Sequence, residues 1–77
     1  MKITIVYNRL IKIENFASNS IIEVPDNCMV RDFLALLKLP AYLRQSVSVL
    51  VNDEPVWTST VLKENDSVKL TPIMTGG

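Results

Sequence analysis

Histidine is absent from this sequence, and cysteine and glycine are scarce. The chain has 77 residues, one cysteine and two glycines. Without histidine it lacks the commonest general base and the commonest metal ligand. One cysteine can build neither an intramolecular disulfide nor a structural zinc site. No activating group lies near Cys28 in the sequence, so we interpret it as a small apolar residue that precedes a helix. A self-contained enzyme is therefore not expected.

Charge and hydropathy argue against two further classes of protein. Eight basic and eight acidic residues balance, which leaves no basic face for nucleic acid. The apolar runs are too short to span a bilayer, and the first residues alternate rather than form the apolar run of a signal peptide. We expect a single soluble, cytoplasmic domain over residues 1–77, with no nucleic-acid or membrane partner.

Both glycines stand together as the last two residues, Gly76 and Gly77. Average usage would scatter about five glycines over the turns of a chain this short. A Gly-Gly end is flexible and can enter a channel too narrow for a side chain, and it carries the Gly77 carboxylate on a thin stem. Residues 74–77 are therefore predicted to form a flexible tail. It is either a frayed end or the reactive group of the protein.

Alternating apolar residues predict strands, and one stretch predicts a helix. Val30, Phe33, Leu34 and Leu37 follow helical spacing, and Pro40 should end the helix because proline disfavours the α region before it. Asn52 to Pro55 has the composition of a turn. Strands are predicted over residues 2–7, 21–24, 47–51 and 67–71, with a brief return at 56–57 and a less regular extension of the first strand at 10–13.

This order of elements predicts an α+β fold, in which one helix packs on one mixed sheet of four to five strands. The first and last strands both look central, because their inner faces are apolar and neither strand contains proline before Pro72. Two such strands side by side would run parallel, with the helix crossing the sheet. This is the β-grasp, or ubiquitin-like, arrangement.

At this level the chain resembles the ubiquitin-like sulfur carriers, namely the small subunit of molybdopterin synthase and the carrier of thiamine biosynthesis. The resemblance covers essentially the whole chain. It is carried by residues 2–7, 24–34, 51–56 and 62–68 and by the tail from Pro72 to Gly77. The tail and the segment 8–10 favour the molybdopterin branch, whereas the short connection before Val47 favours the thiamine carrier. Asp and Asn replace the family's usual glycines in two turns.

The resemblance implies that the chemistry belongs to partner enzymes. An adenylating enzyme would use ATP to activate the Gly77 carboxylate, and a sulfur donor would convert it to a thiocarboxylate. A sulfur-accepting synthase, either the molybdopterin synthase large subunit or thiazole synthase, would receive the sulfur. No cofactor would be bound by the chain itself. The same Gly-Gly chemistry would also suit a ubiquitin-like modifier that forms isopeptide conjugates, and a third interpretation is a plain interaction domain.

Docking surfaces are predicted from strand alternation. Thr75 and Met74 would line the entrance of a partner's channel. Apolar residues that alternate away from the helix would form a partner-binding patch on the open sheet face. Trp57 is either an interface anchor or a partly buried residue that closes the core. The predicted patch contains Val6, Leu50 and Ile73, with Pro72 beside them.

Overall fold

The computed structural model describes residues 1–7, 11, 13, 16–39 and 47–72. These residues form one helix and five strands. The elements are β1 (Lys2–Tyr7), β2 (Ser20–Glu23), α1 (Val30–Leu36), β3 (Val47–Val51), β4 (Glu54–Pro55) and β5 (Ser67–Pro72).

The five strands form one mixed sheet in the order β2-β1-β5-β3-β4. The first and last strands lie side by side and run parallel, in a register that pairs Thr4 with Ser67 and Tyr7 with Leu70. The pairs β1–β2, β3–β5 and β3–β4 are antiparallel. The predicted β-grasp fold is confirmed, and β5 occupies the middle of the sheet.

The core lies between α1 and one face of the sheet. Period-two alternation turns Ile3 and Ile5 of β1 and Val68 and Leu70 of β5 towards the helix, and all four are essentially inaccessible to solvent. Leu62 anchors the polar turn before β5, with 2% of its surface exposed. The helix contributes Val30, Phe33 and Leu34, and β3 contributes Val47, Val49 and Val51.

Helix α1 begins at Val30, the first residue of the predicted stripe, but it ends earlier than predicted. Met29 is its N-cap, and the Met29 backbone N–H donates to the Asp32 carboxylate at 3.1 Å. The helix ends at Leu36, before Pro40, because Lys38 adopts a left-handed conformation with φ of 57°. The Lys38 N–H donates to the Ala35 carbonyl at 3.1 Å. Pro40 lies outside the described residues.

Turns in this domain use asparagine where glycine is common. The β3–β4 hairpin turns on Asn52 and Asp53, whose φ angles are 52° and 68°; positive φ at both positions matches a two-residue hairpin turn. Glu54 and Pro55, predicted as part of the turn, instead form β4. Proline is tolerated there because β4 is an edge strand. Positive φ also occurs at Asn19, Asn27 and Asn65.

The predicted extension of β1 over residues 10–13 is wrong for the two of these residues that the structure describes. Strand β1 ends at Tyr7, and Ile11 and Ile13 are buried in the core without strand pairing. The Tyr7 hydroxyl donates a hydrogen bond to the Phe16 carbonyl and so holds the end of this connection against β1.

Candidate functional site

The tail follows directly from the central strand. Strand β5 ends at Pro72, whose register partner is Val47 of β3. Parallel pairing with β1 on the other side involves Ser67 to Leu70. Both neighbours therefore hold the strand from which the tail leaves. The predicted site residues Gly77, Gly76, Thr75, Met74 and Ile73 lie outside the described residues, and their roles stay predictions.

One row of side chains crosses the open face of the sheet near this end. The registers pair Val6 with Lys69 and Lys69 with Leu50, and Leu50 in turn pairs with Pro55. Paired residues share a face, and Lys69 and Leu50 each lie between two buried neighbours, so the row points away from α1. Val6 and Leu50 are half-buried, whereas Lys69 and Pro55 are exposed. The strand positions predicted for Val6 and Leu50 are correct, but Lys69 separates them.

Pro72 does not join that row. Its partner Val47 is buried on the helix side of the sheet, so Pro72 belongs to the face opposite Val6 and Leu50. Pro72 is also still part of β5, although we predicted that the chain leaves the sheet there. The reason is that proline is tolerated at the end of a strand, where its missing N–H costs no ladder bond.

The side chain of Trp57 is largely exposed to solvent and is not buried in the core. Its exposed fraction is 83%, the largest among the big apolar residues that the structure describes as exposed. The hypothesis that it closes the end of the core is therefore wrong. Trp57, Pro55 and Val56 line a shallow depression beside β4. Val56 alone of these three packs against the core.

Cys28 has the environment of a packing residue. It is 6% exposed within the core, and its thiol donates a hydrogen bond to the Met29 carbonyl at 3.5 Å. Burial and the nearby Asp32 carboxylate raise the pKa of the Cys28 thiol, and the N-terminal ammonium only partly opposes them. A raised pKa disfavours the nucleophilic thiolate, so Cys28 is not a poised nucleophile.

The described residues build no other chemical centre. Among them, no three acidic or cysteine side chains come together in a way that could hold a metal ion. None of the described helical segments is long and apolar enough to cross a bilayer. Every buried side-chain nitrogen or oxygen in the described part has a hydrogen-bond partner, so no orphaned polar group marks a hidden site.

Strand alternation also places Lys69 on the open face, although Lys69 is not among the predicted patch residues. Its position between two half-buried apolar residues depends on the pairing of β5 with both β1 and β3. Local sequence shows only the alternation of Val68, Lys69 and Leu70, which is typical of any half-buried strand. Pairing between strands so distant along the chain was needed to reveal the row.

Comparisons with known proteins agree with this geometry. The ThiS family model matches residues 5–77, a range that includes both glycines of the tail. SAMP1 from Haloferax volcanii has a similar crystal structure, with a TM-score of 0.72 over 100% of both chains and 21% sequence identity. That identity supports a common fold. No curated protein sequence matches the chain. The chain belongs to the ThiS family, a family of small ubiquitin-like sulfur carriers and modifiers.

Proposed function

We propose that this chain is a sulfur carrier whose reactive group is the carboxylate of Gly77. The proposal rests on the part of the chain that runs from the central strand β5 into the tail, where three features coincide. The family match extends through Gly76 and Gly77, the tail follows the central strand β5, and the last charged residue before the tail is Lys69. The domain thus supports an uncharged, narrow stem.

The chemistry requires activation, because a carboxylate is a poor electrophile. A partner adenylating enzyme transfers AMP from ATP to the Gly77 carboxylate and releases pyrophosphate. Hydrosulfide from the sulfur donor then attacks the acyl carbon, AMP departs with the electrons of the acyl–phosphate bond, and loss of the sulfur-bound proton leaves a thiocarboxylate. Gly76 and Gly77 let the stem enter a narrow channel because they have no Cβ. Met74 and Thr75 line the entrance of that channel.

The sulfur recipient that we propose is molybdopterin synthase, with this chain as its small, non-catalytic subunit. The order of residues from Pro72 to Gly77 supports this assignment, as does the segment 8–10 after β1. One structural observation favours thiazole formation as a second candidate. Only residues 37–46 separate α1 from β3, and a short connection at this point is typical of thiamine carriers.

Intact mass tests the carrier function. The protein is purified from its native host, or after incubation with its adenylating enzyme, ATP and a sulfur donor. We expect a fraction that is heavier by the exchange of one oxygen for sulfur, located on the C-terminal peptide. A variant without Gly77 is the control and should keep its unmodified mass. An unmodified wild-type chain under these conditions would contradict the proposal, and larger covalent conjugates in the cell extract would identify a modifier instead.

Sulfur transfer then separates the two recipients. The thiocarboxylated chain is mixed with a molybdopterin synthase large subunit and its pterin substrate, or with thiazole synthase and its substrates. Product in the first reaction alone is the expected result. Product in the thiazole reaction alone would assign the chain to the second pathway and leave the carrier function intact.

A further inference from the structure

The two edge strands of the sheet, β2 and β4, differ in what their backbones offer to another strand. Strand β4 has two residues, and one of them is Pro55. The Val56 N–H donates to the Val49 carbonyl at 3.4 Å, so the alternation of the ladder turns the backbone of Pro55 outward, where proline has no N–H to donate. Strand β2 contains no proline. Of the two edges, β2 is therefore the one that can accept a further strand.

Hydrogen bonds between the first residues of the chain and the end of β2 show which backbone groups of β2 face outward. The Met1 nitrogen donates to the Val24 carbonyl at 2.7 Å, and the Val24 N–H donates to the Met1 carbonyl at 2.8 Å. Bonded and non-bonded pairs alternate along an antiparallel ladder, so Ile22 turns its N–H and C=O towards β1. The N–H and C=O groups of Ile21 and Glu23 therefore point outward, and no strand in the described part of the chain pairs with them there.

The side chains of Ile21 and Glu23 give this edge an apolar position and an acidic end. Ile21 is 67% exposed. Glu23 is also exposed, and among the described residues its carboxylate has neither an ion-pair nor a hydrogen-bond partner. Its register partner Lys2 forms no ion pair with it. Just beyond the strand, the Asp26 carboxylate lies 3.8 Å from the Met1 nitrogen and is 88% exposed. A segment that covers this edge gains most if it carries a positive charge.

A second copy of this chain fits the β2 edge poorly. Symmetric antiparallel pairing about Ile22 would twice set Ile21 opposite Glu23, an apolar side chain against a carboxylate. Pairing about Glu23 would oppose two carboxylates, which is destabilising. Pairing about Ile21 would place Glu23 opposite Asn19, whose φ of 70° is outside the strand region, so a single bonded pair would remain. The acidic end therefore acts against self-pairing, as charges on edge strands commonly do.

We propose that the outer edge of β2 binds an extended segment of another protein as an added antiparallel strand, with a Lys or Arg side chain opposite Glu23 and an apolar side chain opposite Ile21. The backbone of the segment bonds the outward N–H and C=O groups of both residues, which is the source of affinity in strand addition. The two side-chain pairs fix its register. Strand β1 separates this edge from β5 and the tail, and the inference does not depend on the carrier function.

A synthetic peptide, acetyl-Thr-Arg-Thr-Val-Thr-amide, is the probe. In antiparallel register its arginine lies opposite Glu23 and its valine lies opposite Ile21. Amide resonances of the isotopically labelled chain are followed as the peptide is added. We expect the Ile21 and Glu23 amides to shift and to exchange more slowly with solvent, whereas the Ile22 amide, already bonded to β1, gains no protection. The same peptide N-methylated at valine keeps its side chains but loses one N–H, and it should bind about tenfold more weakly.

Charge reversal tests the acidic end of the edge. Glu23→Lys should weaken binding of the arginine peptide about fivefold, and it should strengthen binding of a peptide with glutamate in place of arginine. Glu54→Lys is the matched control, because Glu54 is an exposed carboxylate on the other edge strand. Its affinity for the arginine peptide should stay within about twofold of wild type. The thermal transition of each variant shows that the fold is intact.

Four outcomes would overturn the inference. Shifts confined to β3, β4 or Trp57 would place the peptide on another surface. Equal affinity for the N-methylated peptide would show side-chain capture without strand addition. Protection of the Ile21 and Glu23 amides that rises with protein concentration, without peptide, would identify a second copy as the occupant. No shift up to the solubility limit of the peptide would show that the β2 edge does not accept another chain. Intact mass reports the carrier function separately in every case.

Discussion

The side-chain amide of Asn52 donates a hydrogen bond to the carboxylate of Asp66 at 2.9 Å, which joins the β3–β4 turn to the turn before β5. The second carboxylate oxygen of Asp66 accepts the Lys63 N–H at 2.8 Å. The side-chain oxygen Oδ1 of Asn52 accepts a hydrogen bond from the Ser67 N–H at 3.0 Å. Asp66 is the one buried charged residue in the described part of the chain. These bonds fix the entry of the chain into β5.

Replacement of Asp66 should therefore destabilise the domain. Asp66→Ala leaves the Asn52 amide and the Lys63 N–H without their acceptor, and we expect a loss of about 1–3 kcal/mol in the free energy of unfolding. Urea denaturation measures the loss. Glu23→Ala removes an exposed carboxylate from β2 and serves as the control. Equal stability of the two variants would show that the Asp66 network contributes nothing.

Lys38→Gly should stabilise the protein. Lys38 follows the helix C-cap with φ of 57°, a conformation that costs a residue with a Cβ about 1–2 kcal/mol. Glycine avoids that cost but adds about 0.4–1 kcal/mol of unfolded-state entropy. We therefore expect a net gain of about 0.5–1 kcal/mol, seen as a higher urea midpoint.

Lys63→Gly is the matched control for that gain. Lys63 is an exposed lysine whose φ is not positive, so the substitution brings only the entropic loss. Its urea midpoint should fall while that of Lys38→Gly rises. A fall in both midpoints would contradict the explanation by backbone strain.

Cys28 should make stability depend on pH in the alkaline range. Burial raises the pKa of its thiol in the folded state, so the unfolded chain loses the proton first, from about pH 8.5. The stabilising contribution is complete below that pH and declines as pH rises towards the higher pKa of the folded state. We expect the free energy of unfolding to fall more steeply above about pH 8.5 in wild type than in Cys28→Ala. Parallel pH profiles would contradict this prediction.

Leu50 and Val6 should matter for docking rather than for folding. Each is half-buried on the open face, so Leu50→Ser or Val6→Ser should remove about 1 kcal/mol of interface contact, roughly a fivefold rise in KM for adenylation. Ile21→Ser is the control. Ile21 is 67% exposed on the same side of the sheet, but it lies on the outer strand β2, where it pairs with Thr4. A similar KM for all three variants would argue against a localised patch.

Periodicity made most of the fold predictable. The helical stripe of Val30, Phe33 and Leu34 is buried as expected, and the alternating valines of β3 face the helix. Such patterns directly reflect which side of an element is covered. The parallel contact of β1 with β5 was also predictable, because two strands with apolar inner faces require neighbours on both sides.

Boundaries were harder to predict because they depend on single backbone conformations. Lys38 ends the helix with a left-handed φ. Lysine has no special preference for this conformation, so the sequence offered Pro40 as the only clear signal for the end of the helix. Asn52 and Asp53 alone form the hairpin turn, so Pro55, which was predicted to be part of the turn, lies in strand β4. The exposure of Trp57 was hard to predict for another reason. Burial of a single aromatic residue depends on which elements surround it, and local sequence does not specify them.

One part of the candidate site was predictable from the sequence, and the other part required the structure. The distribution of glycine pointed to Gly76 and Gly77 without any structural information. The row that joins Val6, Lys69 and Leu50 required the registers of β5 with both neighbours. Register between distant strands is set by the packing of the whole sheet, and no local pattern contains it.

The central position of β5 has a mechanical consequence. Ladder hydrogen bonds lie roughly across the strands, and β5 is paired with β1 over Ser67 to Leu70 and with β3 over Val68 to Pro72. Tension applied along the tail therefore loads both ladders in shear, so that their bonds share the force instead of breaking one after another. Single-molecule pulling through the end of β5 should show a higher rupture force than pulling through Asp53, which peels the two-residue β4 from the edge. The domain should thus remain folded while a force acts on the residues that follow β5.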